Sequence, residues 1–321
     1  MRDTILFGDC RETLKEFDEK ARMCVTSPPY YGLRDYGGED SQIGLEQTPE
    51  EFINELVKVF KEVKNVLTDD GTCWVNLGDS YYNYRPGRGQ GLAKQTVSHT
   101  KQDLPDVCPR RGNRLEGLKE KDLIGIPWMF AFAMRADGWY LRQDIIWHKP
   151  NPMPESVRDR CTKAHEYIFL FSKNKKYFYD NEAIKEPVKK DWGTRTRDNG
   201  KYHNEGTGLQ PHSGLTKSYT TKNKRSVWSI TNKPYKHAHF ATFPPDLIEP
   251  CILAGSREGD IILDPFMGSG TTAMVTKQHQ RYYIGCELHN NYSELIEKRL
   301  DSVPVHKVAQ DIVNPITELL Y

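Results

Sequence analysis

Three observations in the sequence predict an α/β protein built around a buried sheet. Short apolar runs such as Ile5-Leu6-Phe7, Met23-Cys24-Val25 and Ile261-Ile262-Leu263 each reach a polar residue within two positions, as buried strands do. Between the second and third of these lies a long stretch with apolar residues at helical spacing. A glycine-rich turn then leads from the last strand into a further helix, completing the alternation of strands and helices. At 321 residues the chain buries a sizeable core, as one large domain or one domain with an insertion.

The first strand ends at Asp9 and the second at Thr26. Thr48-Pro49-Glu50-Glu51 is a helix start, with a capping threonine, proline at the first helical position and glutamate at the third. Ile53, Leu56, Val57, Phe60, Val63 and Leu67 carry the apolar face of that helix, and Gly71 is expected to close it. Thr72 to Leu77 reads as a strand, Leu123 to Met134 as a helix, and Tyr140 to Trp147 and Glu166 to Phe171 as two more strands. Phe243-Pro244-Pro245-Asp246-Leu247 starts a helix that ends near Gly255. No internal repeat is present.

Global charge is nearly balanced, with 45 Lys and Arg against 44 Asp and Glu, but its distribution is uneven. Tyr84 to Arg114 carries seven basic and two acidic residues, and Ser172 to Phe240 carries 15 basic and six acidic. Two basic segments on a neutral chain fit a localised nucleic-acid footprint, although solvated loops of this composition are common. From Asn181 to Tyr235 regular patterning gives way to polar residues with isolated aromatics, among them Trp192, Tyr202, Tyr219 and Trp228. The seven cysteines form no C-x-x-C pair, which fits reduced thiols inside a cell. No apolar run approaches the roughly 18 residues of a membrane span, and the expected location is cytoplasmic. His237-x-His239 lacks a suitably spaced third ligand, so no metal site is expected.

Val25-Thr26-Ser27-Pro28-Pro29-Tyr30-Tyr31 places two prolines directly behind a strand. Each proline fixes φ and extends the residue before it, so the segment is stiff and either ends an element or aims something. The second motif is Asp264-Pro265-Phe266-Met267-Gly268-Ser269-Gly270-Thr271-Thr272, a strand ending in an acid and a glycine-rich loop opening a helix. The glycines allow close backbone approach, and the new helix offers free N–H groups to an anion. A phosphate loop would need Lys-Ser or Lys-Thr after the last glycine, so an NTPase is not expected, while a dinucleotide site stays open. Glu287 ends the next strand, 17 positions after Gly270, near where a Rossmann-like site holds a ribose.

Together, Ser27-Pro28-Pro29-Tyr30 and Asp264 to Thr271 resemble the S-adenosylmethionine-dependent DNA amino-methyltransferases, which methylate exocyclic nitrogens of cytosine or adenine. With the proline motif first and the cofactor loop last, the order resembles the permuted β class. The likeness also takes in Gly8-Asp9, Asp144 to Pro150, His165-Glu166 and Phe243-Pro244. It implies a Rossmann-like fold with a mixed seven-stranded sheet, a catalytic half over 1–180 with a basic insertion near 84–114, a target-recognition region over 181–235, and a cofactor half over 236–321. It implies S-adenosyl-L-methionine as cofactor and double-stranded DNA as partner, and it allows a cognate restriction endonuclease, a homodimer and nucleoid association.

In the family picture the Ser27 side chain and the Pro28 carbonyl accept the two amino hydrogens, the Pro28-Pro29 pair holds both acceptors, and Tyr30 walls the flipped base. Such acceptors return electron density to a weakly nucleophilic amine, and positioning supplies much of the rate. Asp264, Pro265, Gly268, Ser269, Gly270 and Thr271 form the cofactor loop, Phe266 packs on the cofactor, and Glu287 takes the ribose hydroxyls. Asp9 is expected near the adenine, with an ordinary N-cap as its other reading. Tyr31 is a weaker candidate for the wall, and Trp147-His148-Lys149 is expected in a loop facing DNA. Cys24 lies inside its strand, away from the loop, so carbon methylation through a cysteine nucleophile is not expected. Serine before the prolines favours N4-methylcytosine over N6-methyladenine. An inactive DNA-binding module, or an RNA or protein methyltransferase, is the rival reading.

Overall fold

The computed structural model of the chain describes residues 1–32, 41–82, 115–188, 220–232 and 243–303. The basic segment Tyr84 to Arg114, most of Asn181 to Tyr235 and the pair His237 and His239 lie outside the described residues. The elements run β1 (Thr4–Phe7), α1 (Cys10–Thr13), β2 (Ala21–Thr26), α2 (Pro49–Val66), β3 (Leu67–Leu77), α3 (Ile126–Ala136), β4 (Tyr140–His148) and β5 (His165–Ser172). They continue with β6 (Glu186–Pro187), β7 (Thr221–Lys222), β8 (Val227–Ser229), α4 (Pro245–Gly255), β9 (Ile261–Asp264), α5 (Thr271–Gln278), β10 (Tyr282–Glu287) and α6 (Ser293–Asp301).

The main sheet has the order β1-β10-β9-β2-β3-β5-β4-β8. Strands β1, β10, β9, β2 and β3 are mutually parallel, and β5 runs antiparallel to both β3 and β4. Where seven strands are expected the sheet has eight, because β8 pairs in parallel with β4 at the edge. Its three residues come from the segment assigned to target recognition and are too short to show a period of two.

Alternation along the central strands builds two cores. In β2, Cys24 faces one cluster with Phe52, Leu56, Phe60 and Phe130 from α2 and α3, while Met23 and Val25 face the other with Leu247, Ile248 and Ile252 of α4. Phe169 and Phe171 against Ile168 and Leu170 divide β5 in the same way. Helix α2 begins as its sequence predicts: Glu51 N–H donates to the Thr48 hydroxyl, and Thr48 N–H donates to the Glu51 carboxylate, both at 3.1 Å. It ends earlier than expected, at Val66, and β3 runs straight through Gly71. That glycine serves a close backbone approach beside an irregularity in the β2–β3 register. A Cβ there would lie 2.9 Å from the Thr68 carbonyl oxygen and 3.0 Å from that of Arg22. Among the described residues no helix is long and apolar enough to cross a membrane.

Candidate active site

Parallel strands β1, β10, β9 and β2 are neighbours, so Asp9, Glu287, Asp264 and Ser27 all lie at carboxyl ends on one edge of the sheet. This edge is where open α/β sheets bind ligands. The two motifs, more than two hundred residues apart in sequence, meet directly: Thr26, the residue before Ser27, donates its hydroxyl to Asp264 at 2.5 Å.

Asp264 is fully buried. Its carboxylate also accepts from Phe266 N–H at 3.0 Å and from the Thr272 hydroxyl, so it pins both ends of the glycine-rich loop. Burial pushes its carboxyl up to about 6, against the opposing pull of those donors. Gly268 and Gly270 have φ of +53° and +79°, in the left-handed region that glycine enters at little cost. Gly268 N–H donates to Glu287 at 2.7 Å, and His289 N–H donates to the same carboxylate at 3.0 Å. Burial raises the Glu287 pKa despite these bonds. The loop is also held from below. Buried Arg299 of α6 donates to the Ser269 hydroxyl at 2.6 Å, the Thr271 hydroxyl at 2.7 Å and the Ser269 carbonyl at 3.1 Å.

Asp9 caps α1, accepting from Arg11 N–H at 2.9 Å, and its carboxylate is engaged by the Arg11 guanidinium, which also reaches Glu55 at 2.6 Å. Burial pushes its pKa up, but Arg11 more than offsets this and holds it below the ordinary value. The capping role is the one the structure records.

Ser27 and Tyr30 are half-buried and Pro28 is buried. Among the described residues the Ser27 hydroxyl and the Pro28 carbonyl make no hydrogen bond within the protein. The Tyr30 hydroxyl donates to Glu166 at 2.7 Å and lies 3.3 Å from the Asn76 side-chain oxygen. Tyr31 is core, 2 % exposed, with its ring 5.5 Å from that of Phe52. Trp147, the last residue of its expected strand, is also core at 3 % exposure within β4, which runs on to His148 where a DNA-facing loop is expected, and Lys149 pairs with Glu166. Cys24 is fully buried, which raises its thiol pKa strongly and leaves it no nucleophilic role.

Sequence reasoning gave no individual role to Asn76, Lys149, Glu166 or Arg299. Asn76 left a signal, a polar side chain inside the apolar run Trp74 to Leu77. Arg299 left none, since Lys298-Arg299 reads like any solvated helix face.

Residues 21–298 match the family model described as DNA methylase. The chain belongs to the DNA methylase family. This methylase is 45 % identical to the type II methyltransferase M.Cfr9I of Citrobacter freundii over 92 % of its own length and 87 % of that protein. It is 44 % identical to the type II methyltransferase M.SmaI of Serratia marcescens over 92 % and 90 % of the two chains. Its fold is similar to that of PvuII DNA methyltransferase (cytosine-N4-specific), with a TM-score of 0.60 at 19 % identity over 93 % and 86 % of the chains. It is likewise similar to the Thermus thermophilus protein TTHA0409, solved with S-adenosyl-L-methionine, with a TM-score of 0.56 at 22 % identity over 94 % of each chain.

The methylase acts on DNA, with S-adenosyl-L-methionine as its cofactor. The residues on the edge fit that molecule. A Cβ at Gly268 would meet only the Phe266 carbonyl oxygen, at 3.9 Å, so the loop leaves open space there. Each Glu287 oxygen accepts one backbone N–H and keeps a lone pair that a ribose hydroxyl can use. Among the described residues no group of three or more His, Cys, Asp or Glu is arranged to hold a metal.

Proposed function

We propose that this methylase transfers a methyl group to the exocyclic N4 of a cytosine rotated out of duplex DNA. The observation that carries the reading is the Thr26–Asp264 hydrogen bond, which fixes the proline motif beside the glycine-rich loop. Phe266, Gly268 and Glu287 hold the cofactor in this reading, with Pro265, Ser269, Gly270 and Thr271 shaping the loop and Asp9 near the adenine. S-adenosyl-L-methionine supplies the electrophilic methyl when bound.

Ser27 and Pro28 do the rest of the chemistry. Their oxygens, without donors among the described residues, accept the two amino hydrogens, draw electron density onto the nitrogen and aim its lone pair. The Ser27 hydroxyl is too weak a base to deprotonate a neutral amine, so the proton leaves after transfer, when the nitrogen is cationic. Tyr30 receives the rotated base and offsets a few kcal/mol of unstacking. Serine at position 27, where adenine-directed relatives mostly carry Asp or Asn, supports cytosine. The relatives' designation as type II methyltransferases supports pairing with a restriction endonuclease.

Nucleoside mass spectrometry of DNA treated with the enzyme and labelled cofactor tests the base. Label in N4-methylcytosine is expected, and label confined to adenine overturns the base assignment while leaving amino methylation intact.

A further inference from the structure

We infer that Glu166 is a positioning residue that fixes the Tyr30 ring through its hydroxyl, with Lys149 and Asn76 fixing Glu166 in turn. The inference rests on the reading of Tyr30 as the surface that receives the rotated base. Three observations carry it.

The first is the anchor. Tyr30 Oη donates to Glu166 Oε2 at 2.7 Å, and Glu166 stands at the start of β5, on a different part of the sheet from the proline motif. The second is that the anchor is itself held. Lys149 Nζ donates to Glu166 Oε1, and Asn76 Nδ2 donates to Glu166 Oε2 at 3.3 Å and to the Tyr167 carbonyl at 3.1 Å. The Lys149 and Glu166 side chains are only 16 % and 15 % exposed, so the pair is largely shielded from solvent and resists rearrangement. Lys149 also sits 4.2 Å over the ring centre of Trp147, whose Nε1–H donates to the Ile230 carbonyl at 2.8 Å. The third is clearance. A Cβ at Gly78 would come 2.6 Å from Tyr30 Cε2 and 3.3 Å from Cζ, so the ring lies directly on that backbone.

A stacking surface works only if its plane is set before the base arrives. Rotation about χ1 and χ2 would otherwise cost conformational entropy in every turnover. A bare phenyl ring could stack equally well, so the hydroxyl's contribution is orientation, set by a carboxylate that never touches the base.

The test uses the full chain, unmethylated plasmid DNA and labelled S-adenosyl-L-methionine. Tyr30→Phe and Glu166→Ala are each expected to lower kcat by about tenfold, the size of a hydrogen bond to a charged group, with cofactor affinity by calorimetry within about twofold. Because both act through one bond, Tyr30→Phe with Glu166→Ala is expected to be no slower than the worse single variant. Glu166→Gln keeps the shape and one acceptor, and is expected to recover most of the rate. Gly78→Ala displaces the ring without touching the anchor, and is expected to slow methylation while cofactor affinity holds; it serves if Glu166→Ala fails to fold. Multiplicative losses in the double variant, or Tyr30→Phe or Gly78→Ala at full rate, overturn the inference. Tyr30→Ala separates the two levels: at full rate it removes the base-receiving reading itself, whereas a slow Tyr30→Ala beside a fast Tyr30→Phe refutes only the anchor.

Discussion

The two sides of the site are built on opposite plans. On the side of the glycine-rich loop the acids already hold donors from the protein: Asp264 accepts from two threonine hydroxyls and a backbone amide, and Glu287 accepts from two amides while each of its oxygens keeps a lone pair. On the other side, the Ser27 hydroxyl and the Pro28 carbonyl accept nothing from the described residues. In the proposed reading, the difference teaches that a carboxylate such as Asp264 can serve a cofactor site indirectly, by holding the loop that binds. In the same reading, the acceptors proposed for the amino hydrogens, Ser27 and Pro28, stay uncommitted. Stiffness on the first side comes from hydrogen bonds, and on the second from two prolines and a pinned tyrosine.

The largest break in this contrast is Asp264→Ala. It strands two buried hydroxyls and an amide at the junction of both motifs, so cofactor affinity by calorimetry is expected to fall roughly a hundredfold or more, with about 2–3 kcal/mol lost from unfolding stability. Near-normal binding would show that the loop stands without its bracket.

Tyr30→Ala tests the opposite side. Methylation is expected to slow by roughly ten- to a hundredfold, from lost stacking, while cofactor affinity changes by less than about threefold. Loss of cofactor binding in this variant would erase the division between the sides.

Gly268→Val places a branched side chain at φ +53° in a loop that glycine enters freely. About 1–2 kcal/mol of backbone strain predicts roughly a tenfold weaker cofactor affinity, more if the new side chain fills the open space beside the loop. Affinity unchanged in calorimetry would move the cofactor away from this loop.

The smallest effect is acid sensitivity. Burial raises the Asp264 pKa from 3.8 to about 6, so the folded chain holds this proton more tightly than the unfolded chain does. The group's contribution to stability therefore falls as pH rises from about 4 to about 6 and is level above, so acid does not unfold the protein through Asp264. Protonation does cost an acceptor for Thr26, Thr272 or Phe266 N–H. Cofactor affinity is expected to drop a few fold as pH falls through about 6, while the melting temperature does not drop through this group. Asp264→Asn should flatten that inflection in a calorimetric pH series.

Much of this contrast was legible in the chain. The α2 cap, the strands around Cys24, Trp74 and Leu263, and the glycine loop announce themselves because each follows from neighbours within a few residues. The helix end at Val66 was misplaced because Gly71 looks locally like a terminator, and only the nearby Thr68 and Arg22 carbonyls reveal why a glycine stands in that strand. Tyr31, a weaker candidate for the wall, and Trp147, expected where a strand gives way to a DNA-facing loop, are both core, because aromatic residues near polar ones carry no mark of which side is covered.

The sequence by itself determined the chemistry offered: serine, prolines and tyrosine behind one strand, glycines between acids behind another, and the stiffness or freedom of each backbone. Those are properties of residue type and short spacing. Only the tertiary structure decided how the groups are used. Parallel pairing of β2 with β9 brings Thr26 to Asp264, β5 carries Glu166 to Tyr30, and α6 slides Arg299 beneath the loop. Contacts at such separations depend on strand order and register, which no local pattern encodes, so a carboxylate's role as ligand or as bracket is settled by the sheet.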